Sequence, residues 1–252
     1  SSYDTMYAVV PVIGDSLQFI ANLLPTGEDT LIRVSTILNS DTVNQSLPDT
    51  FRVLVRDQFS NPVSNTAISF TAYAYPSGSD SVGFIRGAGQ YLTTLDTVTD
   101  INGYASAVFH LGTKVGQYII RASNPSLLNP AVFDTIQATF GLPGELRLVA
   151  GNAQTDTVDQ IVDTLQVQVY DRYGNVVNDT ARVIWEIVNN SVSVSNQGLV
   201  NAVSIDSTSG TPIARDSATA FSQGIAKANW RLKDLTGSDS VRAFIPGIDT
   251  VL

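Results

Sequence analysis

The stretch DTVNQSLPDTFRVLVRDQFSNPVSNT at residues 41–66 occurs a second time as DTVDQIVDTLQVQVYDRYGNVVNDT at residues 156–180. With Pro48 taken as an insertion, 12 of the 25 aligned pairs are identical. The match continues through AISF and RVIW, which places Phe70 opposite Trp185. Self-similarity of this extent indicates one fold present twice in tandem, and it divides the 252 residues into two units of ordinary domain size.

The repeat resumes after a variable loop, with NGYASAVFHLGTKVGQYIIRAS at residues 102–123 against QGIAKANWRLKDLTGSDSVRAF at residues 223–244. Apolar residues recur with period two in these blocks, which predicts strands with one buried side and one solvent-facing side. Leu54 and His110 are predicted to face outward. The residues predicted to face inward are Phe51, Val53, Val55, Ala105, Ala107, Phe109 and Leu111 in the first unit and Leu165, Val167, Val169, Ala226, Ala228, Trp230 and Leu232 in the second.

Asp57 and Asp171 end equivalent strands, in RDQFSNPV and YDRYGNVV, where a carboxylate can accept backbone N–H bonds within a turn. Asn61 and the pair Gly174-Asn175 are predicted to tolerate the left-handed backbone of that turn. Short strands separated by turns at this spacing predict an all-β fold of tandem antiparallel β-sandwich domains.

The front of the chain supplies another piece of the repeat. YDTMYAVV at residues 3–10 aligns with FDTIQATF at residues 133–140. Residues 1–10 are therefore predicted to be an orphan strand, the terminal strand of a preceding or neighbouring unit, and sandwich domains are predicted at 11–140 and 141–252. The interaction strand so defined comprises Tyr3, Asp4, Thr5, Met6, Tyr7, Ala8, Val9 and Val10.

The start of the first unit has two possible registers. If Leu17 is equivalent to Leu146, the first unit carries 14 extra residues around LLPTGEDTLIRVST. In the alternative alignment, DTLIRVST at residues 29–36 is itself the first strand of the unit.

Composition narrows the function classes. The net charge is −9 with only 14 Lys and Arg, which argues against partnership with nucleic acid or with an anionic membrane surface. The chain has no Cys, so it has no disulfide framework and no thiolate site. No apolar run approaches the ~20 residues of a membrane-spanning helix, so membrane insertion of this segment is not expected.

The hairpins VRDQFSNPV and VYDRYGNVV, the following apolar strands and the segment TDINGYASAVFHLGTKVGQYIIRA together resemble bacterial immunoglobulin (Ig)-like domains of the invasin and intimin type. The resemblance implies two tandem Ig-like domains, an extracellular or bacterial cell-surface location, and a rod-like stalk that carries an adhesive tip. It implies no catalytic residues and no cofactor. Partners would be neighbouring Ig-like units or identical subunits, with a host or surface ligand as a further possibility.

Two candidate sites depend on particular residues. Asp57 and Asp171 are candidate Ca²⁺ ligands because carboxylate oxygens suit that ion, although turn capping is the favoured explanation of both. Tyr73 and Tyr75 would share one face if their strand continued. An exposed pair of this kind could stack on sugar rings. Packing under the adjacent loop is the commoner outcome for such residues. Catalysis is not expected, since His110 is the only histidine and no nucleophile motif accompanies it.

The leading hypothesis is a rigid stalk or spacer in a tandem Ig-like array of a bacterial surface or secreted protein. One alternative is a subunit of an extracellular filament or surface layer, assembled by donation of residues 1–10 to an open sheet edge of a neighbour. A second alternative is a carbohydrate-binding accessory module, for which Tyr73 and Tyr75 are the support.

Overall fold

The computed structural model describes residues 2–10, 14–35, 39–87, 90–127, 130–178, 181–188, 199–203, 215–219, 222–232, 236–238 and 240–251. The chain divides into two compact units, Ser1–Thr139 (unit 1) and Phe140–Leu252 (unit 2). Regular structure in the described residues consists of β-strands, apart from a short 3₁₀ turn at Ser222–Gly224. This agrees with the predicted all-β fold.

The described residues of unit 1 contain thirteen strands, which form four sheets. The two facing sheets of the sandwich have the orders β10-β5-β3 and β4-β13-β12-β6-β9, and the smaller sheets are β11-β7-β8 and β1-β2. The strands are β1 (Ser2–Val10), β2 (Asp15–Leu23), β3 (Thr30–Arg33), β4 (Ser40–Thr42), β5 (Phe51–Arg56), β6 (Ala67–Ala74), β7 (Gly83–Gly87), β8 (Gln90–Leu92), β9 (Thr94–Val98), β10 (Tyr104–Ala107), β11 (Phe109–His110), β12 (Gly116–Ser123) and β13 (Ala131–Thr139).

Aromatic rings fill the interior of unit 1. Phe51 of β5 meets Phe70 of β6 edge to face at 5.6 Å between ring centroids, which joins the two facing sheets. The contacts continue from Phe70 to Phe84 at 5.8 Å, from Phe84 to Phe109 at 5.1 Å, and from Phe109 to Tyr118 at 6.4 Å. All five rings are almost fully buried, and such tilted pairs add to the free energy gained by burying their area.

As far as the structure describes it, unit 2 is a sandwich of two four-stranded sheets, with the orders β14-β15-β19-β17 and β18-β16-β20-β21. Its buried interior is mostly Val, Ala, Leu and Ile packed around Trp185, which replaces Phe70 of the first copy. The strands are β14 (Pro143–Ala150), β15 (Leu165–Asp171), β16 (Arg182–Val188), β17 (Leu199–Val203), β18 (Arg215–Thr219), β19 (Ile225–Arg231), β20 (Ser240–Ile245) and β21 (Asp249–Val251).

Strand pairing follows the sequence repeat residue by residue. Ala105 lies opposite Val53 in unit 1, and its counterpart Ala226 lies opposite Val167 in unit 2. The predicted inward residues are buried, except that Trp230 and Leu232 are half-buried. Leu54 was predicted to face outward and is buried instead, so that prediction is wrong. On its face of the sheet Leu54 lies between the side chains of its cross-strand partners Ile32 and Tyr104.

Gly103 and Gly224 occupy the same position in the two units and both have a left-handed backbone, with φ of +76° and +67°. A Cβ on Gly103 would lie 2.8 Å from the carbonyl oxygen of Val55, and a Cβ on Gly224 would lie 2.8 Å from that of Val177. The conserved spacing of these glycines in the repeat therefore reflects a close approach of two backbones, which leaves no room for a side chain.

The structure decides between the two registers at the start of unit 1. Leu31 of β3 lies opposite Val55, and Leu146 of β14 lies opposite Val169. Because Val55 and Val169 are equivalent in the repeat, Leu31 is the counterpart of Leu146. The register that equates Leu17 with Leu146 is therefore wrong, and DTLIRVST contains the first strand of the unit.

Candidate functional site: the aspartate turns

Each unit has a buried aspartate at the turn that follows β5 or β15, which we call an aspartate turn (residues 57–61 and 171–175). Oδ1 of Asp57 accepts hydrogen bonds from the N–H groups of Phe59 at 2.9 Å and Asn61 at 2.8 Å. Oδ2 accepts a third from the Asn61 side-chain amide at 3.1 Å. The carboxylate therefore satisfies donors that the turn would otherwise leave without partners.

The aspartate turn of unit 2 repeats these bonds. Asp171 Oδ1 accepts from the N–H groups of Tyr173 and Asn175, both at 2.9 Å, and Oδ2 accepts from the Asn175 side chain at 2.9 Å. The left-handed residue is Ser60 in one copy, with φ of +69°, and Gly174 in the other, with φ of +75°. The prediction is right for Gly174 and wrong for Asn61, since the neighbouring Ser60 takes that conformation.

Both aspartates also bind the segment that leads into their own unit. We define this lead-in segment as residues 24–29 in unit 1 and 140–142 in unit 2. Oδ2 of Asp57 accepts hydrogen bonds from the N–H of Thr26 at 3.0 Å and from its hydroxyl at 3.2 Å. Oδ2 of Asp171 accepts from the N–H of Gly141 at 2.9 Å. Each carboxylate thus joins the lead-in segment to the end of β5 in unit 1 or of β15 in unit 2.

Sequence reasoning missed Thr26 and Gly141. The bond that they share comes from the backbone N–H, which every residue except proline carries, so it cannot be recognised from residue type. The further bond from the Thr26 hydroxyl has no counterpart at Gly141. Their spacing is the signal that a correct register would have provided: Thr26 stands five residues before Leu31, as Gly141 stands five residues before Leu146.

Burial by itself would raise the pKa of Asp57, but hydrogen bonds from Asn61, Thr26 and Phe59 outweigh it and lower the pKa from 3.8 to about 2. The charged form is therefore the form that the turn stabilises. Among the described residues no group of three or more His, Asp or Glu side chains is arranged to hold a metal ion. The oxygens of Asp57 and Asp171, predicted as candidate Ca²⁺ ligands, are occupied by protein donors, as turn capping requires.

His110 is buried, with 5% of its surface exposed, so the prediction of an outward-facing histidine is wrong. Its ring stacks on Tyr91 at 4.1 Å between centroids, and Nδ1 lies 3.0 Å from the Ser46 hydroxyl. The segment around Ser46 pairs with the strand of His110 and covers it. Burial lowers the pKa of His110, which favours the neutral ring.

Tyr73 and Tyr75 are both exposed, so they do not pack under a loop. Strand β6 ends at Ala74, so only Tyr73 lies on the strand. The Tyr73 ring meets Phe133 edge to face at 5.3 Å with an interplanar angle of 76°. Rings this close to perpendicular do not form one flat platform of the kind on which a sugar ring stacks.

The interaction strand predicted at residues 3–10 lies in β1, which pairs along its length with β2. Met6 lies opposite Phe19 and Ala8 lies opposite Leu17. In the part of the chain that the structure describes, these residues therefore form one half of a β-hairpin and are not a single unpaired strand. No described helix has the length and apolar character needed to cross a membrane.

No protein-family model and no curated protein matches the sequence. Solved structures similar to the chain include FdeC, an Escherichia coli adhesin, at 15% identity and a TM-score of 0.46 over 93% of this chain and 65% of that one. They also include invasin, described as a bacterial integrin-binding protein, at 14% identity and 0.35 over 88% of this chain and 38% of that one. A glycosyl hydrolase family 2 member from Bacteroides cellulosilyticus matches at 11% and 0.35, over 83% of this chain and 24% of that one.

The chain thus spans less than two thirds of each of these three proteins. The group includes invasin, one of the proteins whose Ig-like domains the sequence resembles. An adhesin and a glycosyl hydrolase both occur among these structures. At such identities the similarity describes the fold.

Proposed function

We propose that this chain is a spacer segment of a bacterial cell-surface or secreted adhesive protein, in which tandem Ig-like units hold a binding part away from the cell. The observation that carries the proposal is the repeated bond from the lead-in segment to a buried aspartate, Thr26 to Asp57 and Gly141 to Asp171. A bond at this place fixes the direction in which the chain enters each sandwich, which is what a stiff array requires.

The charge and composition support an extracellular role without chemistry. The net charge of −9 favours solubility. The single histidine is buried against Tyr91, so it is poorly placed to act as a base on a bound substrate. The absence of Cys suits domains that are large enough to rely on their cores.

The two alternatives receive less support. Donation of residues 1–10 as a single strand would have to break the pairing of β1 with β2. A carbohydrate-binding face requires a flat aromatic platform, whereas Tyr73 and Phe133 are nearly perpendicular. Glycan-array binding that disappears in Tyr73→Ala and Tyr75→Ala would restore the second alternative.

The spacer proposal is tested by the distance distribution between the units. The chain has no Cys, so single cysteines at the exposed positions Thr135 in unit 1 and Lys227 in unit 2 give a unique pair of spin labels. We expect a narrow distribution that broadens in Asp171→Ala, because that change releases Gly141. The control Asp100→Ala alters an exposed turn and should leave the distribution unchanged. A broad distribution in the otherwise unchanged labelled chain would contradict a stiff spacer.

A further inference from the structure

The hairpin β1-β2 has an apolar face that nothing in the described structure covers. The pairs Met6 with Phe19 and Ala8 with Leu17 place these four side chains on one face, since residues directly opposite each other in an antiparallel pair point the same way. Met6 is 69% exposed, Leu17 is 67% and Phe19 is 53%. In unit 1, β1 and β2 form a sheet of their own.

The connection from this hairpin into unit 1 matches the connection from β13 into unit 2. Leu23, at the end of β2, stands three residues before Thr26, and Ala138, near the end of β13, stands three residues before Gly141. Thr26 and Gly141 are the equivalent donors to the aspartate turns. Strand β2 therefore occupies the place of β13, the last strand of a unit.

The pairing extends the equivalence to the other strand. Leu23 lies opposite Ser2 in the hairpin, as Ala138 lies opposite Gly116 in unit 1. In this register β1 occupies the place of β12, and Met6 corresponds to Ile120. The exposed face of the hairpin is thus the counterpart of a face that unit 1 buries in its core. The buried residues of that face are Tyr118, Ile120, Ala122, Asp134, Ile136 and Ala138.

Two positions differ in character. Asp4, on the same face as Met6, corresponds to Tyr118, which is fully buried in unit 1. Phe19 corresponds to Asp134, which is buried and pairs with Arg33 at 2.8 Å. The Phe19 ring needs an apolar partner at the place where unit 1 has the Arg33 guanidinium. The surface that covers the hairpin is therefore the inner face of a sandwich with its own core composition.

We propose that residues 2–23 are the last two strands of a further Ig-like unit that precedes unit 1 in the same polypeptide, and that its remaining strands cover Met6, Ala8, Leu17, Phe19, Ala21 and Leu23. The inference deepens the spacer function and rests on it, since it adds a unit to the array. It also revises the orphan piece from one strand, residues 1–10, to a two-stranded hairpin.

In the described residues, a second copy of the chain already fills the places that the hairpin would take. Unit 1 already contains β12 and β13, which pair with each other and with β6 and β4. Unit 2 contains β20 and β21 in the corresponding places, paired with each other and with β16. A hairpin lent to either unit would have to displace strands that are already paired.

Deleting residues 1–23 from the full chain gives the first test. We expect the melting temperature of unit 1 to be unchanged, because the lead-in segment and Thr26 remain. Hydrogen exchange in peptides from unit 1 reports its unfolding separately from that of unit 2. A lower melting temperature would show that the hairpin belongs to unit 1 and would overturn the proposal. Polymers of the unaltered chain that disappear in Phe19→Ser would identify a second copy as the covering surface and would also overturn it.

An extended chain gives the second test. Residues 24–116 are repeated directly before Tyr3, so that β3 to β11 of a unit precede the hairpin as they precede β12 and β13. The added copy carries Arg33→Leu, so that Phe19 meets an apolar side chain where unit 1 pairs Asp134 with a guanidinium. We expect the amide hydrogens of β1 and β2 to exchange at least about tenfold more slowly than in the unextended chain. Unchanged exchange in an extension that melts cooperatively would contradict the proposal.

Matched double variants assign any protection to the apolar face. Met6→Ser with Phe19→Ser should abolish the added protection, whereas Tyr7→Ser with Ile20→Ser should retain it. The two pairs have similar exposure and lie on opposite faces of the hairpin. Equal loss of protection in both double variants would contradict the assignment of Met6 and Phe19 to the covered face. Failure of these tests leaves the spacer proposal standing, because that proposal is measured between Thr135 and Lys227.

Discussion

Unit 1 fills its interior with five aromatic rings, whereas unit 2 packs aliphatic side chains around Trp185. The aspartate turns show no such divergence, because Asp57 and Asp171 have the same partners in the same places. The difference indicates which interactions tolerate change. Apolar side chains of different shapes can fill one volume, but a buried carboxylate requires donors at fixed positions.

The largest expected effect is in the cores. Phe70→Ala removes a ring that contacts Phe51 and Phe84, and we expect unit 1 to lose about 3–5 kcal/mol of unfolding free energy. Trp185→Ala should cost unit 2 a similar amount. Hydrogen exchange of peptides from each unit measures both losses. Tyr73→Ala, on the exposed side of the same strand as Phe70, is the control and should cost far less. Equal losses at Tyr73 and Phe70 would break the assignment of the core.

The next effect concerns the aspartate turn of unit 2. Asp171→Ala leaves the buried N–H groups of Asn175 and Tyr173 and the N–H of Gly141 without the carboxylate. We expect unit 2 to lose about 2–3 kcal/mol of unfolding free energy in urea titrations. Asp100→Ala is the control, since that exposed carboxylate caps only its own turn, and it should cost less than about 1 kcal/mol. If both substitutions cost the same unfolding free energy, the bond from Gly141 to Asp171 contributes nothing to the stability of unit 2.

The stability of unit 1 should depend on pH through Asp57. Its pKa is about 2 in the folded chain against an ordinary value of 3.8, so the unfolded state takes up a proton first as the pH falls. The stabilisation is fully present above the ordinary pKa and is lost as the pH falls from 3.8 towards 2. Urea unfolding of unit 1 measures this slope, and Asp57→Asn should flatten it. An unaltered slope in the variant would assign the acid sensitivity to other carboxylates.

The smallest effect separates the two turns. Ser60 carries a side chain at φ of +69°, whereas Gly174 takes the same backbone without one, and a Cβ there would meet nothing within 4 Å. Ser60→Gly should stabilise unit 1, and Gly174→Ser should destabilise unit 2, each by about 0.5–1 kcal/mol. Thermal melts of the two variants check the opposite signs. Shifts of the same sign would mean that the two turns are not equivalent.

Sequence patterns predicted the strands, the repeat and most of the buried residues, because period-two alternation reflects which side of a sheet is buried. They failed where burial comes from a third element. Leu54 and His110 follow the outward phase of their strands, yet neighbouring segments cover them. They also failed at the start of unit 1, where the resemblance of YDTMYAVV to FDTIQATF suggested a register that the strand pairing does not follow.

The sequence by itself determined that the chain carries one sandwich twice and that each copy has an aspartate at the same turn, since both facts lie in residue types at fixed spacing. Only the tertiary structure decided what those aspartates bind and that β1 pairs with β2 in a hairpin. Backbone donors such as Thr26 and Gly141 carry no residue signature, and the pairing of β1 with β2 depends on hydrogen bonds between main chains. Those contacts form only when the chain is folded, and they cannot be recognised from residue types, because every residue except proline carries the same backbone groups.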